Sequence, residues 1–431
     1  MKCEVTAEII APARNDATCE VLKHYYIGTE GMHLRQVRAL EKYSDTHELV
    51  EVRDSYDNGK TWGEWQRENE AGRFSLGEDE YQYWGDAASR DVYNPVHNHY
   101  ITVNTHRIYL GGYKKACDLD WKGEIAIRDH GFVTVKDDDG VYTQMIAYED
   151  GNTEFDEKTY SRDPEFLHKN NGMAVQFNVL PDGDVFFSLE CIPMDKICAM
   201  VGADVNEVFP SRPGHGGGFM VARGKWDNDK KRYDFTFSRP LYLTEKQSSR
   251  GIMEPVITKL NSGKYLMVFR VSNAIFEWNP KMCPFTPGFK YFCISEDDCK
   301  TFSTPMPWFF DSKEVVYSSA TYSLFERSIK NGKLYWLGNI TDPTKIKGNY
   351  PRYPLYIAEV DEEWGVLKKE TLTLIDTKKE GEGEQVQFSN FSIIQNRETK
   401  NLEILLTKIQ QYPDRPVFEG DVMKYTIVLP E

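Results

Sequence analysis

Short apolar runs of strand length, separated by polar turn residues, recur along the whole chain. The runs are rich in Val, Ile, Tyr, Phe and Thr and are cut by Gly, Asn and Asp. Examples are Ile101 to Val103, Val185 to Leu189, Tyr265 to Phe269, Leu334 to Leu337 and Ile404 to Leu406. No long stretch carries apolar residues at helical spacing, so the pattern predicts an all-β protein. One unit recurs: an apolar strand, a tight turn and a second apolar strand. It is clearest in PVITKLNSGKYLMVFRVSN (255–273), MAVQFNVLPDGDVFFSLE (173–190) and YSLFERSIKNGKLYWLGNIT (322–341). Weaker copies are HYITVNTHRIYLGG (99–112), FSIIQNRETKNLEILLTKI (391–409) and RQVRALEKYSDTHELVEVRDS (35–55). The turn centres fall near 45, 105, 182, 262, 331 and 398, with gaps of about 60 to 80 residues. That period is too long for a solenoid and suits a four-stranded propeller blade with long loops. The expectation is a six-bladed β-propeller of four-stranded antiparallel blades, one domain over 1–431, with the terminal strand MKYTIVLP helping to close the ring.

The most specific motif is Ser55-Tyr56-Asp57-Asn58-Gly59-Lys60-Thr61-Trp62, which fits S-x-D-x-G-x-T-W. As a hairpin turn, Asp57 accepts backbone N–H bonds, Gly59 supplies positive φ and Trp62 packs back under the turn. A second copy, Ser295-Glu296-Asp297-Asp298-Cys299-Lys300-Thr301-Phe302, has Cys in place of Gly. These motifs, with the six-fold unit, resemble the Asp boxes (BNR repeats) of the sialidase superfamily. The resemblance implies a sialidase-like β-propeller in which the Asp boxes are structural and lie away from the substrate. It also implies three arginines clamping a carboxylate, a Tyr–Glu nucleophile pair and an Asp acid/base. The early Arg-Ile-Pro signature of that family is absent; the nearest arginines are Arg35 and Arg38 in MHLRQVRALE.

Composition narrows the classes. The 431 residues include 9 Trp, 25 Tyr and 23 Phe, far more buriable surface than a disordered chain carries. A formal net charge of −15 disfavours nucleic acid, because phosphate is repelled and no Lys/Arg stripe offsets it. No apolar run approaches the roughly 20 residues that cross a bilayer, so no membrane partner is expected. The eight cysteines are scattered without a CxxC pair or a histidine at zinc spacing, which reads as free thiols and no metal. The N-terminal MKCEVTAEIIAPARND has no secretory apolar core. A cytoplasmic protein is expected, or a secreted one if Met1 replaces a removed signal. No cofactor is expected.

Propeller sites lie at the channel mouth, where inner strands begin, and loops there carry function. Taking one polar group per repeat gives a ring: His33 and Arg35; Asn94, His97, Asn98 and His99; Asn170 and Asn171; Arg250 and Glu254; Tyr317 and Tyr322; Gln387 and Asn390. Polar residues before apolar strands are common in β proteins, so the convergence of six groups is the argument. Glu254, directly before Pro255 at the start of the best repeat, is expected to face the mouth. With Tyr317 or Tyr322 it would form the base-and-nucleophile pair of a retaining glycosidase; as a structural carboxylate it would bond Arg250 or loop N–H groups. His97 and His99 share a strand face, and paired His with Arg and Tyr resembles uronate-removing propeller lyases. Arg352 in NYPRYP is placed to present a guanidinium to a sugar acid; Arg270 and Arg327 are set among aromatics, and His130 and His215 are weaker candidates. RPGHGGG (212–218) lacks the Lys-Ser/Thr of a phosphate loop and reads as a place where backbone approaches backbone.

The leading reading is a glycoside hydrolase releasing a terminal acidic or deoxy sugar from an oligosaccharide or glycan. The alternatives are a lyase acting on a uronic acid through His and Tyr, and a non-catalytic carbohydrate-binding propeller. A homo-oligomer is compatible with either.

Overall fold

The computed structural model describes residues 2–42, 49–68, 73–75, 81–84, 91–120, 122, 126–151, 153, 163–210, 216–275, 287–415 and 418–431. Their strands form six antiparallel sheets, the blades of a six-bladed propeller. Blade 1 runs Cys19–Tyr26, Leu34–Glu41, Leu49–Ser55, Gln66–Arg67. Blade 2 begins with Val92–Asn94, continues through His99–Tyr109, Ile127–Asp137 and Gly140–Met145, and adds Arg73–Ser75 and Tyr81–Trp84. Blade 3 is Met173–Val179, Val185–Pro193, Gly217–Asp227, Arg232–Phe237, and blade 4 is Met253–Lys259, Tyr265–Arg270, Tyr291–Ser295, Met306–Pro307. Blade 5 is Ser323–Arg327, Leu334–Asn339, Leu355–Asp361, Val366–Leu367, with Thr373–Asp376 as an extra partner of its third strand. Blade 6 is Ser392–Gln395, Leu402–Thr407, Val422–Val428 and, from the start of the chain, Glu4–Ala11. Strand content far exceeds helix content, and no helix among the described residues is long and apolar enough to cross a membrane.

Each second strand lies in the middle of its blade and is covered on both faces by neighbouring blades. In blades 3 to 6 its sequence is therefore a mostly apolar run rather than an alternating one. Every residue of Tyr265–Arg270, Leu334–Asn339 and Leu402–Thr407 is buried. Trp336 on one such strand and Trp308 from blade 4 meet edge-to-face at 5.4 Å and are fully enclosed between blades 4 and 5. Phe219, Met267 and Phe269 fill the joint between blades 3 and 4, and Ile357, Phe388, Ile404 and Tyr425 that between blades 5 and 6.

Three parts of the expected repeat frame are corrected. The segment 35–55 supplies the second and third strands of blade 1; the first turn is the earlier Gly28–Gly31 stretch, where both glycines have positive φ. The segment 99–112 has no turn at 105, because His99–Tyr109 is one unbroken strand paired along its length with Ile127–Asp137. MKYTIVLP is the third strand of blade 6, and the ring is closed by Glu4–Ala11 pairing with it in the register Glu4↔Val428 to Ala11↔Val422. Closure with a strand from the other chain end leaves blade 6 no open third-strand edge.

The two Ser-x-Asp turns follow the third strands of blades 1 and 4 and have the same wiring. Asp57 accepts from the Thr61 N–H at 2.8 Å and the Thr61 hydroxyl at 2.6 Å, while Ser55 donates to it at 2.8 Å. Asp297 accepts from Thr301 at 2.9 and 2.6 Å and from Ser295 at 2.9 Å. These donors hold both carboxyls down at about 2. Trp62 packs against Gly59 but is half-exposed rather than buried, with the Arg53 guanidinium 5.1 Å from its ring. Of RPGHGGG, residues 212–215, His215 included, lie outside the described residues. The remainder is a close backbone approach: a Cβ on Gly217 would sit 2.0 Å from the Ile192 carbonyl, and one on Gly251 would sit 2.2 Å from the Gly217 carbonyl.

Two outcomes are expected. Trp336→Ala lowers unfolding free energy by about 3–5 kcal/mol, the range for deleting a buried large aromatic, as read from urea titration. Both turn aspartates ionise more readily folded than unfolded, so they stabilise above about pH 4 and that contribution is lost as pH falls towards about 2. Asp57→Ala and Asp297→Ala each lower the melting temperature at pH 7 and flatten its fall over that window; an unchanged slope in the double variant refutes the assignment.

Candidate active site

In every blade the inner strand starts, the second strand ends and the third strand starts at one end of the ring. The other end holds the first turns and the two Ser-x-Asp turns. The first end is the mouth, and each second strand delivers its last residues towards it. Glu190 near the end of VFFSLECIP and Arg270 at the end of YLMVFR arrive in this way.

Glu254 reaches the mouth from the start of the inner strand of blade 4. Met253 pairs with Arg270 and the next regular pair is Val256 with Val268, so Glu254 and Pro255 form a bulge. Pro255 has no N–H to give the ladder, and Glu254 has φ of 44°, in the left-handed region. The bulge redirects the side chain out of the alternation and towards the channel. Glu190 also lies at a break in register, between Leu189 and Ile192 on the strand facing Gly217–Asp227.

These bulges bring two carboxyls together. The Glu254 N–H donates to Oε2 of Glu190 in a short hydrogen bond. Oε1 of Glu254 binds Nη1 of Arg270 at 2.7 Å, and Nη2 of Arg270 continues to Oδ1 of Asn349 at 3.0 Å. Oε2 of Glu254 is buried without a partner. Arg352 donates to the Asn349 carbonyl at 3.2 Å, to Gln387 at 2.8 Å and to Ser389 at 3.3 Å, and Gln387 reaches Gln410 at 3.4 Å. One polar chain thus crosses blades 3, 4, 5 and 6. Lys290, fully enclosed at the start of the third strand of blade 4, donates to the Thr321 carbonyl. On the blade 2 side Arg107 grips Asp129 with two bonds of 2.7 and 2.9 Å.

The two carboxyls are held in opposite states. Burial, reinforced by the charge of Glu254, pushes Glu190 up to about 8, so it is protonated at neutral pH. Burial also works against ionisation of Glu254, but Arg270 outweighs it, aided by Arg352 and Lys290, and the pKa ends below the ordinary carboxylate value. Burial lowers Lys290 to about 7, against the pull of Glu254.

The other expected residues divide by end. Arg250, Arg352, Tyr317, Tyr322, Asn171, Gln387 and Asn390 all lie at the mouth end, on segments leading into inner or third strands. Asn171 is buried and bonds His130 at 3.1 Å and the Leu167 carbonyl at 2.9 Å, so it holds a loop. Asn170 likewise caps Tyr148 and Glu149. Tyr317 packs beside Phe289, and Tyr322 on Phe391 at 5.6 Å; the carboxylate of Glu254 carries an arginine, not a tyrosine. His33, Arg35, His97, Asn98 and His99 are not brought to this place. His33 and Arg35 stand at the opposite end, both on Asp54, at 3.1 and 2.9 Å. His97, Asn98 and His99 belong to the first turn of blade 2, also at that end; His99 is buried against Trp226, bonded to the Tyr233 hydroxyl at 2.7 Å, and held down to about 4. The displacement has one cause: their strand is second in its blade, so its start points away from the mouth. Arg327 is also remote, paired with Glu362 at 2.7 Å. Glu190 and Lys290 were missed, and Arg270 was noted without a role. For Glu190 and Arg270 the signal was present: a largely apolar run ended by a charge, as in VFFSLE and YLMVFR. No group of His, Cys, Asp or Glu suited to a metal occurs among the described residues.

Removing Arg270 leaves a carboxylate without its counter-charge. Arg270→Leu is expected to lower stability by on the order of 3 kcal/mol, while Glu254→Gln in the same background recovers part of it. Equal stability of Arg270→Leu and wild type in chemical denaturation rules out a working ion pair.

Neither a family model nor a curated protein matches this sequence. Solved structures match in fold. A Dyadobacter fermentans protein of unknown function aligns over 98% of this chain and 99% of its own, with TM-score 0.57 and 10% identity. The NanB sialidase of Streptococcus pneumoniae aligns over 98% of this chain and 70% of its own, with TM-score 0.54 and 10% identity. The intramolecular trans-sialidase of Ruminococcus gnavus aligns over 95% and 94%, with TM-score 0.51 and 10% identity.

Proposed function

We propose that this sialidase-like β-propeller is a glycoside hydrolase in which Glu190 and Glu254 are the working carboxyls. The observation that carries the reading is the pair itself: two adjoining carboxyls at the mouth whose surroundings drive their pKa values apart. A proton donor for the leaving oxygen and an ionised carboxylate for the sugar carbon are what glycosidic cleavage requires. Glu190, neutral at pH 7, takes the acid role. Glu254, ionised beside Arg270 and with Oε2 uncommitted, takes the nucleophile or base role. The two Ser-x-Asp turns, read as Asp boxes, and the fold shared with two sialidases support this class.

An acidic sugar is the favoured substrate. Arg270, Arg352 and Lys290 act together on Glu254, concentrating positive charge at the mouth of a chain whose net charge is −15. An anionic substrate is drawn there by the local field. The lyase alternative loses its base, because His97 and His99 stand at the other end from these cations.

Glu254→Gln and Glu190→Gln are each expected to lower turnover at least 10²-fold with the fold intact, measured on aryl glycosides of uronic and neutral sugars. The rate of the wild type is expected to fall above about pH 8, as Glu190 loses its proton. Retained turnover in both variants, or an unsaturated product absorbing in the near ultraviolet, defeats the hydrolase reading.

A further inference from the structure

The joints between blades 2 and 3, 3 and 4, 4 and 5, and 5 and 6 each hold an apolar cluster of at least eleven buried residues. The joint where blade 6 meets blade 1 holds three: Leu22, Leu405 and Val422. The blade 1 face turned to this joint is polar where the others are apolar. Gln36 faces Arg53, and Arg38 faces Glu51, in register on the second and third strands. Trp65 lies over them, with the guanidinium carbons of Arg38 and Arg53 at 4.2 and 4.3 Å from its ring. A cleft of about 490 Å³ opens here, walled on the far side by Ile10 to Ala13 from the end of the closing strand.

Three arginines line this cleft, Arg14, Arg38 and Arg53, against one carboxylate, Glu20. Arg38 is committed to Glu51, and Arg14 to Asp16 at 2.8 Å. The acceptor for the Arg53 guanidinium is the buried carboxamide of Gln36, at 2.9 and 2.6 Å. That amide is neutral. Burial, and then Arg38, work against the charge of Arg53 and lower its pKa, only partly offset by the more distant Glu20. A half-buried guanidinium in an open cleft, beside a second one and without a carboxylate of its own, is completed by an anion. The planar fork selects a carboxylate, and the apolar rim of Ile10 and Pro12 beside the Trp65 edge suits the C–H face of a sugar ring.

We propose that the cleft between the closing strand and blade 1 binds a carboxylate-bearing unit of a saccharide chain, with Arg53 as its anchor, apart from the mouth. The choice of a saccharide rests on the hydrolase reading; the anion site rests on the cleft alone. The test is calorimetric titration of wild type, Arg53→Gln, Arg14→Gln and Glu254→Gln with trigalacturonate, its methyl ester and inorganic phosphate, circular dichroism confirming each fold. The expected result is trigalacturonate binding weakened at least tenfold by Arg53→Gln and several-fold by Arg14→Gln, which sits on the rim and leaves the blade interior untouched. The same binding event persists in Glu254→Gln, and the methyl ester does not produce it. Equal affinity in wild type and both arginine variants overturns the proposal, as does loss of the event in Glu254→Gln, which places the ligand at the mouth. Phosphate competing as well as trigalacturonate overturns the saccharide class. Absence of hydrolysis by the wild type with this binding intact counts against the proposed activity and not against the cleft.

Discussion

The second strand of each blade is pressed between two neighbouring blades, and the rest of the architecture follows from that confinement. A strand covered on both faces admits few polar side chains along its length, so VFFSL, YLMVF and LYWL read as largely apolar runs. Polar residues are expelled to its ends. One end meets the turn chemistry of the first hairpin. The other meets the channel mouth, where six blades converge and no further layer covers the chain. The same packing that forbids charge in the blade interior therefore gathers it at the axis, and Glu190 and Arg270 are there because their strands could hold them nowhere else.

At the axis, burial and pairing compete, and magnitudes separate two residues of the same type. Glu190 has burial and a neighbouring carboxylate against it, and goes up to about 8. Glu254 is only half-buried and touches Arg270 at 2.7 Å, and goes down. The bulge at Met253–Val256 makes this arrangement available, since regular pairing would have turned Glu254 into the ladder. A backbone irregularity, an ion pair and an uncovered strand end together produce an acid and a base side by side.

Closure imposes a different constraint. Four joints are filled with apolar side chains and rich in aromatics, whereas the joint formed when the two chain ends meet has few apolar side chains and a polar wall. The closing strand Glu4–Ala11 is held by its backbone ladder to Val422–Val428, and its side chains are largely exposed. Ring integrity at this joint depends on hydrogen-bond register more than on burial, which leaves room for arginines.

The sequence by itself determined the class of the fold and its count of blades. Short apolar runs and the spacing of turns report local backbone geometry, and the S-x-D-x-G-x-T-W turn is a local hydrogen-bond pattern that any chain with those residues can form. Glu254 was legible for the same reason: a charged residue before a proline at the head of an apolar strand is a strand-start signal. The frame of blades 1 and 2 was not legible. His99–Tyr109 reads as two strands because Asn104 and Thr105 imitate a turn, yet pairing with Ile127–Asp137 keeps it straight. Moving that frame by one strand carried His97 and His99 to the far end, since adjacent antiparallel strands point opposite ways. Only the tertiary structure decided which end each polar group occupies, that Glu190 stands against Glu254, and that their pKa values part. These depend on contacts between residues apart in the chain, 64 positions for Glu190 and Glu254 and 16 for Glu254 and Arg270, and on burial by blades that a local pattern does not contain.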